Sequence, residues 1–278
     1  MLVLTGILSL SSLRAQYISF SGSNGYTGSD DFEFQTGGTL IAKGITGTGS
    51  LTPGDQGSGT RLLWYANKAA FRAGRVNTTT TTGGTVYLWD DSNIGNYSVA
   101  MGYNVSASTQ SSVALGQGST ASGSYAVAIG YGNTAGATNS TALGYNTTAS
   151  GNVSTAFGDG TFATGNRATT FGGGTTTAYG SYSFAAGYHS YASGTYSATF
   201  GLYTDAEAYA SVAIGAYNTI TGSHTTWVPT DPLFQIGNGT DDTHRSDAFV
   251  VDKSGKVTAS VFMMTATPIA GDIPMFGH

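Results

Sequence analysis

The sequence predicts an all-β fold, a β-roll solenoid of about nine coils of 14 residues with irregular β caps at both ends. A glycine recurs at a nearly fixed interval over residues 102–215. The residues before it alternate small and apolar, as in Ser112-Val113-Ala114-Leu115, which is the period-two pattern of a strand. Clusters of Gly, Asn and Ser that favour turns separate these runs, and 14 residues are too few for a pair of helices. The repeating glycines are Gly102, Gly116, Gly130, Gly144, Gly158, Gly172, Gly187, Gly201 and Gly215.

Each coil is predicted to contain two short strands. In most coils an alanine follows the repeating glycine by five residues. Tight turns that need the backbone freedom of Gly or Asn join the two strands. One interval, from Gly172 to Gly187, is 15 residues, and Ala178 comes one position late. The extra residue therefore lies before Ala178, where we expect a bulge or a longer turn.

The alternation also predicts which side chains lie inside the roll. A roll this thin holds only small side chains between its layers, so alanines point inward and larger apolar residues outward. The resulting stripe exceeds the apolar patches that monomers usually expose, so we expect it to contact partner chains. The predicted interface consists of Val99, Met101, Val113, Leu115, Val127, Ile129, Leu143, Phe157, Phe171, Phe200, Val212 and Ile214. A monomeric roll with the large residues inside is the alternative.

Tyrosines form the predicted ligand surface. They recur directly after the repeating glycine or in a second column of the coils, as Tyr103, Tyr131, Tyr145 and Tyr188, and as Tyr125, Tyr182 and Tyr196. An exposed tyrosine ladder is suited to contact a sugar or a protein through stacking and hydroxyl hydrogen bonds. Alternatively, the stacked rings only stabilise neighbouring coils.

The segments that flank the repeats are predicted to be a leader and caps. Residues 1–15 are similar to the apolar core and cleavage region of a secretory signal peptide but lack its basic start, so a buried first strand is the alternative. Residues 16–97 are expected to form an N-terminal β cap and lead-in, 98–222 the repeats, 223–260 a C-terminal β cap and 261–278 a tail. Caps protect the open edges of a solenoid from aggregation.

The coil SVALGQGSTASG at 112–123, with the similar coils around it, resembles the head domain of YadA-like trimeric autotransporter adhesins. The resemblance extends over residues 98–222. The segments that resemble the flanks of such heads more weakly are 64–74, 89–97, 233–239 and 248–257. It implies a left-handed parallel β-roll, three rolls associated through the apolar stripe, and a head that binds host or matrix surfaces. The sequence shows neither the heptad stalk nor the anchor strands of that family, so the chain is expected to be a fragment, a fibre subunit or a released protein.

The composition excludes several classes of function. Charged residues make up 9% of the chain, against about a quarter in ordinary soluble domains. The net charge of −5 argues against a nucleic-acid partner, and the absence of cysteine excludes disulfides and thiol chemistry.

No group of residues predicts catalysis, a cofactor or a metal site. The histidines His189, His224, His244 and His278 lie far apart and lack metal-ligand spacing. Run 239–243 is predicted to be a polar turn and not a calcium loop.

A basic cluster precedes the repeats. It consists of Arg61, Lys68, Arg72 and Arg75. The cluster is suited to bind an anion or an acidic partner, but a capping turn paired with Asp90 and Asp91 is the simpler interpretation.

The leading functional interpretation is a secreted or surface-exposed bacterial adhesin head, a homotrimer that attaches to host, matrix or glycan surfaces without catalysis. A fibre segment without a ligand, as in a phage tail or an extracellular filament, is one alternative. An ice-binding solenoid is another, although Ser106 and Phe162 interrupt the column of Thr120, Thr134 and Thr148. No nucleic acid and no membrane span are expected.

Overall fold

The computed structural model describes residues 57–77 and 88–261, together with four short strands in the N-terminal region. The fold is all-β and contains a parallel β-solenoid of about eight turns, as the sequence predicts. The predicted signal segment 1–15 and residues 262–278 lie outside the described residues. The chain divides into two compact units, 1–146 and 147–278.

The first unit combines hairpins with four long and three short solenoid strands. Its strands are β1 (Phe32–Phe34), β2 (Leu40–Ala42), β3 (Gly59–Tyr65), β4 (Ala70–Val76), β5 (Thr79–Thr81), β6 (Gly84–Val86), β7 (Val99–Tyr103), β8 (Ser106–Ala107), β9 (Val113–Gln117), β10 (Thr120–Ala121), β11 (Val127–Tyr131), β12 (Thr134–Ala135) and β13 (Thr141–Tyr145). The pairs β1–β2, β3–β4 and β5–β6 are antiparallel. From β4 the long strands β7, β9, β11 and β13 follow in parallel, and β8, β10 and β12 form the second layer.

The second unit continues the same alternation and ends in an antiparallel cap. Its strands are β14 (Thr148–Ala149), β15 (Thr155–Asp159), β16 (Phe162–Ala163), β17 (Thr169–Gly173), β18 (Thr177–Ala178), β19 (Phe184–Tyr188), β20 (Tyr191–Ala192), β21 (Ala198–Leu202), β22 (Asp205–Ala206), β23 (Val212–Ala216), β24 (Pro232–Asn238), β25 (Asp247–Asp252) and β26 (Val257–Ala259). The strand β24 is parallel to β23, whereas β25 and β26 are antiparallel to their neighbours.

Alanines fill the space between the layers. Ala114 and Ala128 of the long strands and Ala121 and Ala135 of the short strands are fully buried and pair in register with their counterparts. Buried serines at the start of the long strands close the adjoining turns, since the Ser211 hydroxyl donates to the Ala208 carbonyl at 2.7 Å. The interior is therefore made of small side chains, as the alternation predicts.

The ninth repeat lacks its second strand, so eight turns are complete. Nine long strands follow the glycine repeat, but β23 has no short strand after it. The position that holds alanine in the other coils is Ile220, which is 45% exposed. A side chain of this size does not fit between the layers, so the chain leaves the roll there.

The extra residue of the irregular coil lies in the turn between β17 and β18. Gly174 and Thr175 both have a left-handed backbone, with φ of 58° and 66°, whereas in the corresponding turn between β15 and β16 Gly160 alone does so. The Thr176 amide closes the turn on the Gly173 carbonyl at 3.2 Å. The predicted insertion is thus a longer turn.

At the junction of each unit with its cap, a polar side chain occupies the strand position that holds the inward-pointing alanine in the coils. Arg72 pairs with Ala100, and Gln235 pairs with Ala213. The Arg72 guanidinium is buried and donates to the Ser98 hydroxyl at 2.7 Å and the Ala107 carbonyl at 2.8 Å. Burial lowers the pKa of Arg72 to about 10. Gln235 donates to the Thr219 carbonyl at 3.1 Å. Both side chains donate hydrogen bonds to backbone carbonyls near the ends of the roll.

Candidate functional site

The long strands present two rows of apolar side chains on their outer face. The rows exist because the alanines between them point inward. In the first unit they consist of Val99, Val113 and Val127 in one row and Met101, Leu115, Ile129 and Leu143 in the other, paired in register. Met101 is 43% exposed and Ile129 is 36% exposed. These predicted interface residues thus form one surface, hereafter the apolar face.

In the second unit phenylalanines form the centre of the apolar face of that unit. Phe157 contacts Phe171 with ring centroids 5.6 Å apart. The next position of that row is Ala186, and Phe184 of the neighbouring row fills the space beside it. The Phe184 ring lies 5.9 Å from Phe171 and 5.2 Å from Phe200. Phe184 was not among the predicted residues, although it occupies the coil position of Val127.

The cap strands extend both rows. In the first unit Trp64 pairs with Phe71, which pairs with Val99, and the exposed Leu62 faces Ala73. In the second unit the predicted residues Val212 and Ile214 pair with cap residues. Those rows continue through Phe234 and Val251, and through Ile236 and Phe249. Prediction missed these residues because the caps lack the 14-residue period, although Phe234-Gln235-Ile236 shows the same alternation.

The predicted ligand-surface tyrosines are exposed but differ in their contacts. Tyr131 and Tyr145 stack with ring centroids 4.9 Å apart, and Tyr182 and Tyr196 stack at the same distance. Tyr188 meets His189 and Tyr203 edge to face. The Tyr103 hydroxyl accepts a hydrogen bond from the side-chain amide of Asn77, and Tyr125 lies between Ser111 and Asn139 of the neighbouring coils. The seven residues therefore do not form one uninterrupted ladder.

A longer ladder in the second unit was not predicted. The His189 ring stacks on Tyr203 at 4.6 Å, and Tyr203 stacks on Tyr217 at 4.8 Å. The Arg245 guanidinium lies 5.7 Å above the Tyr217 ring and closes the ladder by a cation–π contact. All three rings come two residues after a repeating glycine. Reading that column in the sequence would have found them.

The stacking limits what the tyrosines can bind. A sugar that stacks on an aromatic residue needs a free ring face. In the parallel pairs the faces between the rings cover each other, since Tyr131 and Tyr145 are tilted by only 9°. The accessible parts of these pairs are therefore the outer faces, the ring edges and the hydroxyl groups.

The basic residues before the repeats do not form one anion site. The Lys68 ammonium pairs with the Asp91 carboxylate at 3.1 Å, and the Tyr65 hydroxyl donates to the same oxygen at 2.7 Å. The Tyr65 hydrogen bond and Lys68 lower the pKa of Asp91. Arg72 points into the roll, and Arg61 donates to the Gly57 carbonyl. This geometry favours the capping interpretation.

One carboxylate on the short-strand layer is buried. Asp205 on β22 is 8% exposed and accepts a hydrogen bond from the Ser193 hydroxyl at 2.9 Å. Burial raises the pKa of Asp205 to about 7, and the nearby charge of Glu207 adds to this effect. Glu207 pairs with His224, which anchors the segment after β23.

The structure brings no metal-binding group together in its described part. Among those residues no three His, Asp or Glu side chains are arranged to hold a metal ion. In the run 239–243 the Asp241 carboxylate accepts hydrogen bonds from the Thr243 amide and hydroxyl. These bonds, with those from His244, hold the pKa of Asp241 well below its usual range. The run is a polar turn.

In the described part of the chain no helix is long and apolar enough to cross a membrane. A comparison with curated protein sequences gives no significant match. A comparison with protein-family models matches the YadA head domain repeat in two copies, at residues 107–133 and 135–161. The matched segments contain four of the glycine-marked strands, β9, β11, β13 and β15. The match at these residues and the β-solenoid fold are consistent with a YadA-like head.

Proposed function

We propose that this chain is the head of a homotrimeric adhesin on a bacterial surface, and that it attaches to host, matrix or glycan surfaces without catalysis. YadA heads belong to surface-exposed autotransporter adhesins and form trimers. The apolar face, on a solenoid with YadA head repeats, is the observation that supports this proposal most directly. Partly exposed Phe, Ile and Met side chains in continuous rows are typical of a surface that a partner covers.

The chemistry of the apolar face suits self-association. Aspartate, glutamate, lysine and arginine are absent from the predicted interface residues. Between Ser98 and Gly222 the only such residues are Asp159, Arg167, Asp205 and Glu207. An interface of this kind gains free energy from apolar burial, at about 25 cal/mol for each Å² removed from water. Association through it does not depend on pairs of opposite charges.

The mass of the assembly tests the trimer. Light scattering on the purified chain should give three times the mass of one chain. Val127→Asp should dissociate the trimer or prevent its folding, because it places an unpaired charge in the interface. Ser122→Asp, at an exposed position after β10, is the matched control and should leave the mass unchanged. A monomeric mass for the unmodified protein would contradict the proposal.

Binding to arrays of matrix proteins and glycans tests the adhesive role. The tyrosines Tyr103, Tyr125, Tyr131, Tyr145, Tyr182, Tyr188 and Tyr196 remain the proposed contact residues. Replacement of Tyr188 by alanine should weaken binding more than replacement by phenylalanine if ring contact dominates, whereas equal losses would indicate the hydroxyl. A trimer that binds no array component would instead favour a structural fibre segment.

Ice binding receives less support than adhesion. Thr120 and Thr134 pair in register on the short-strand layer of the first unit, but Ser106 precedes them. In the second unit Phe162, Tyr191 and Asp205 occupy the same position. A regular array of hydroxyls does not extend along that layer.

A further inference from the structure

Two pairs of exposed tyrosines stack across neighbouring coils. Tyr131 and Tyr145 are 45% and 50% exposed, with ring planes 9° apart. Tyr182 and Tyr196 are 47% and 51% exposed, with ring planes 19° apart. In both pairs the ring centroids are 4.9 Å apart, close to the spacing of neighbouring strands. Each pair therefore holds two phenol rings face to face, and both rings are partly exposed to solvent.

We propose that Tyr131–Tyr145 and Tyr182–Tyr196 are oxidative cross-linking sites, at which a peroxide-dependent one-electron oxidant joins neighbouring coils by a tyrosine–tyrosine bond. The rings are nearly parallel and their centroids lie 4.9 Å apart, so rotation of the two exposed side chains can bring the carbon atoms next to the oxygens into contact. The solenoid lacks cysteine and so has no disulfide with which to join its coils. The tyrosine bond would supply a covalent connection between residues 14 positions apart.

Each phenol gives one electron and its hydroxyl proton to the oxidant, a haem peroxidase supplied with hydrogen peroxide, and becomes a phenoxyl radical. One molecule of peroxide accepts both electrons and both protons and leaves as two water molecules. The radicals form a carbon–carbon bond between the two positions next to the oxygens. Each ring then shifts one hydrogen from that carbon to its oxygen, so the product has lost two hydrogens.

The chain contains its own controls. Tyr103 occupies the same coil position as Tyr131 but pairs with Gln117. Tyr125 occupies the position of Tyr182 but has Ser111 and Asn139 in the neighbouring coils. Both are exposed, at 36% and 50%. The same oxidant should reach Tyr103 and Tyr125. Because neither has a tyrosine stacked on it from the neighbouring coil, they should not form the bond within a chain.

Peptide mapping of the full chain after dilute treatment with peroxidase and peroxide tests the proposal. Cleavage with chymotrypsin after Leu143 separates Tyr131 from Tyr145, and cleavage after Phe184 separates Tyr182 from Tyr196. We expect linked peptides for both pairs, each lighter by two hydrogens than the sum of its parts, together with dityrosine fluorescence. Tyr145→Phe should remove the first link and leave the second, and Tyr103→Phe should leave both.

Chains with natural and with heavy nitrogen, mixed while unfolded and then refolded together, separate bonds within a chain from bonds between chains. Links of uniform isotope composition at the two pairs support the proposal. Mixed-isotope links, or links at Tyr103 and Tyr125 as abundant as those at the stacked pairs, would overturn it, because collision between molecules would then explain them. Unlinked peptides at both pairs, when free tyrosine in the same tube is oxidised, would also overturn it.

Discussion

At the residue scale, the repeating glycine is required by the close approach of neighbouring coils. A Cβ atom on Gly158 would lie 1.9 Å from the Gly172 carbonyl oxygen, and the φ of Gly158 is +130°. An alanine there forces the two strands apart, so Gly158→Ala should lower the free energy of unfolding by roughly 3 kcal/mol or more. Urea denaturation measures the effect.

Gly160 in the same coil provides the control. It has φ of +64°, but a Cβ there would lie 3.8 Å from its nearest neighbour, the Thr175 amide nitrogen. Gly160→Ala should therefore cost only about 1 kcal/mol, the cost of the left-handed backbone. Equal effects of the two changes would show that backbone conformation, and not the contact between coils, requires glycine at Gly158.

The buried carboxylate of Asp205 should make stability depend on pH. Its pKa is about 7 in the folded chain, against 3.8 for an ordinary aspartate, so the folded state binds more protons between these values. The contribution of Asp205 to the free energy of unfolding is complete below pH 4. Up to about 4 kcal/mol of it is lost as the pH rises through 7. Asp205→Asn should flatten this slope in chemical denaturation at pH 5 to 8, whereas Asp159→Asn, at an exposed site, should retain it.

At the same scale, the sequence predicted which side chains point into the roll better for the repeating coils than for the ends of the roll. The alanine between the two apolar residues of a long strand could only point inward, because a thin roll excludes larger side chains. Arg72 and Gln235 occupy the same column. They could not be predicted from residue type, since long polar side chains are usually exposed. Hydrogen bonds to backbone carbonyls near the ends of the roll offset the cost of burying them.

At the element scale, prediction succeeded where one coil repeats the next. The strands β9, β11 and β13 share one register because each is built on the same spacing. The caps β3–β4 and β24–β26 have unique sequences, so their pairing depends on contacts that no repeat reveals. The apolar alternation in β24 nevertheless continues the rows of β23. Alternation alone therefore predicts which face a cap strand presents, but not the strand with which it pairs.

The ladder of His189, Tyr203 and Tyr217 shows a different reason for a missed feature. The predicted features of each coil lie at the alanine, at the repeating glycine and at the residue after it. The stacked rings lie one residue further on, where most other coils have Gly or Asn with a left-handed backbone. Aromatic residues adopt that backbone at a cost, which the stacking between coils offsets. Their occurrence at a turn position was the signal.

At the scale of the whole molecule, the scarcity of charge predicts how the proposed trimer responds to salt. The apolar face associates by burial of nonpolar surface, which added sodium chloride does not screen. The mass measured by light scattering should therefore remain that of a trimer from about 0.05 M to about 1 M salt, across which the screening length falls from above 10 Å to about 3 Å. Dissociation at high salt would place the interface on the charged caps, where Lys68, Asp91 and Arg245 lie, and would contradict association through the apolar face.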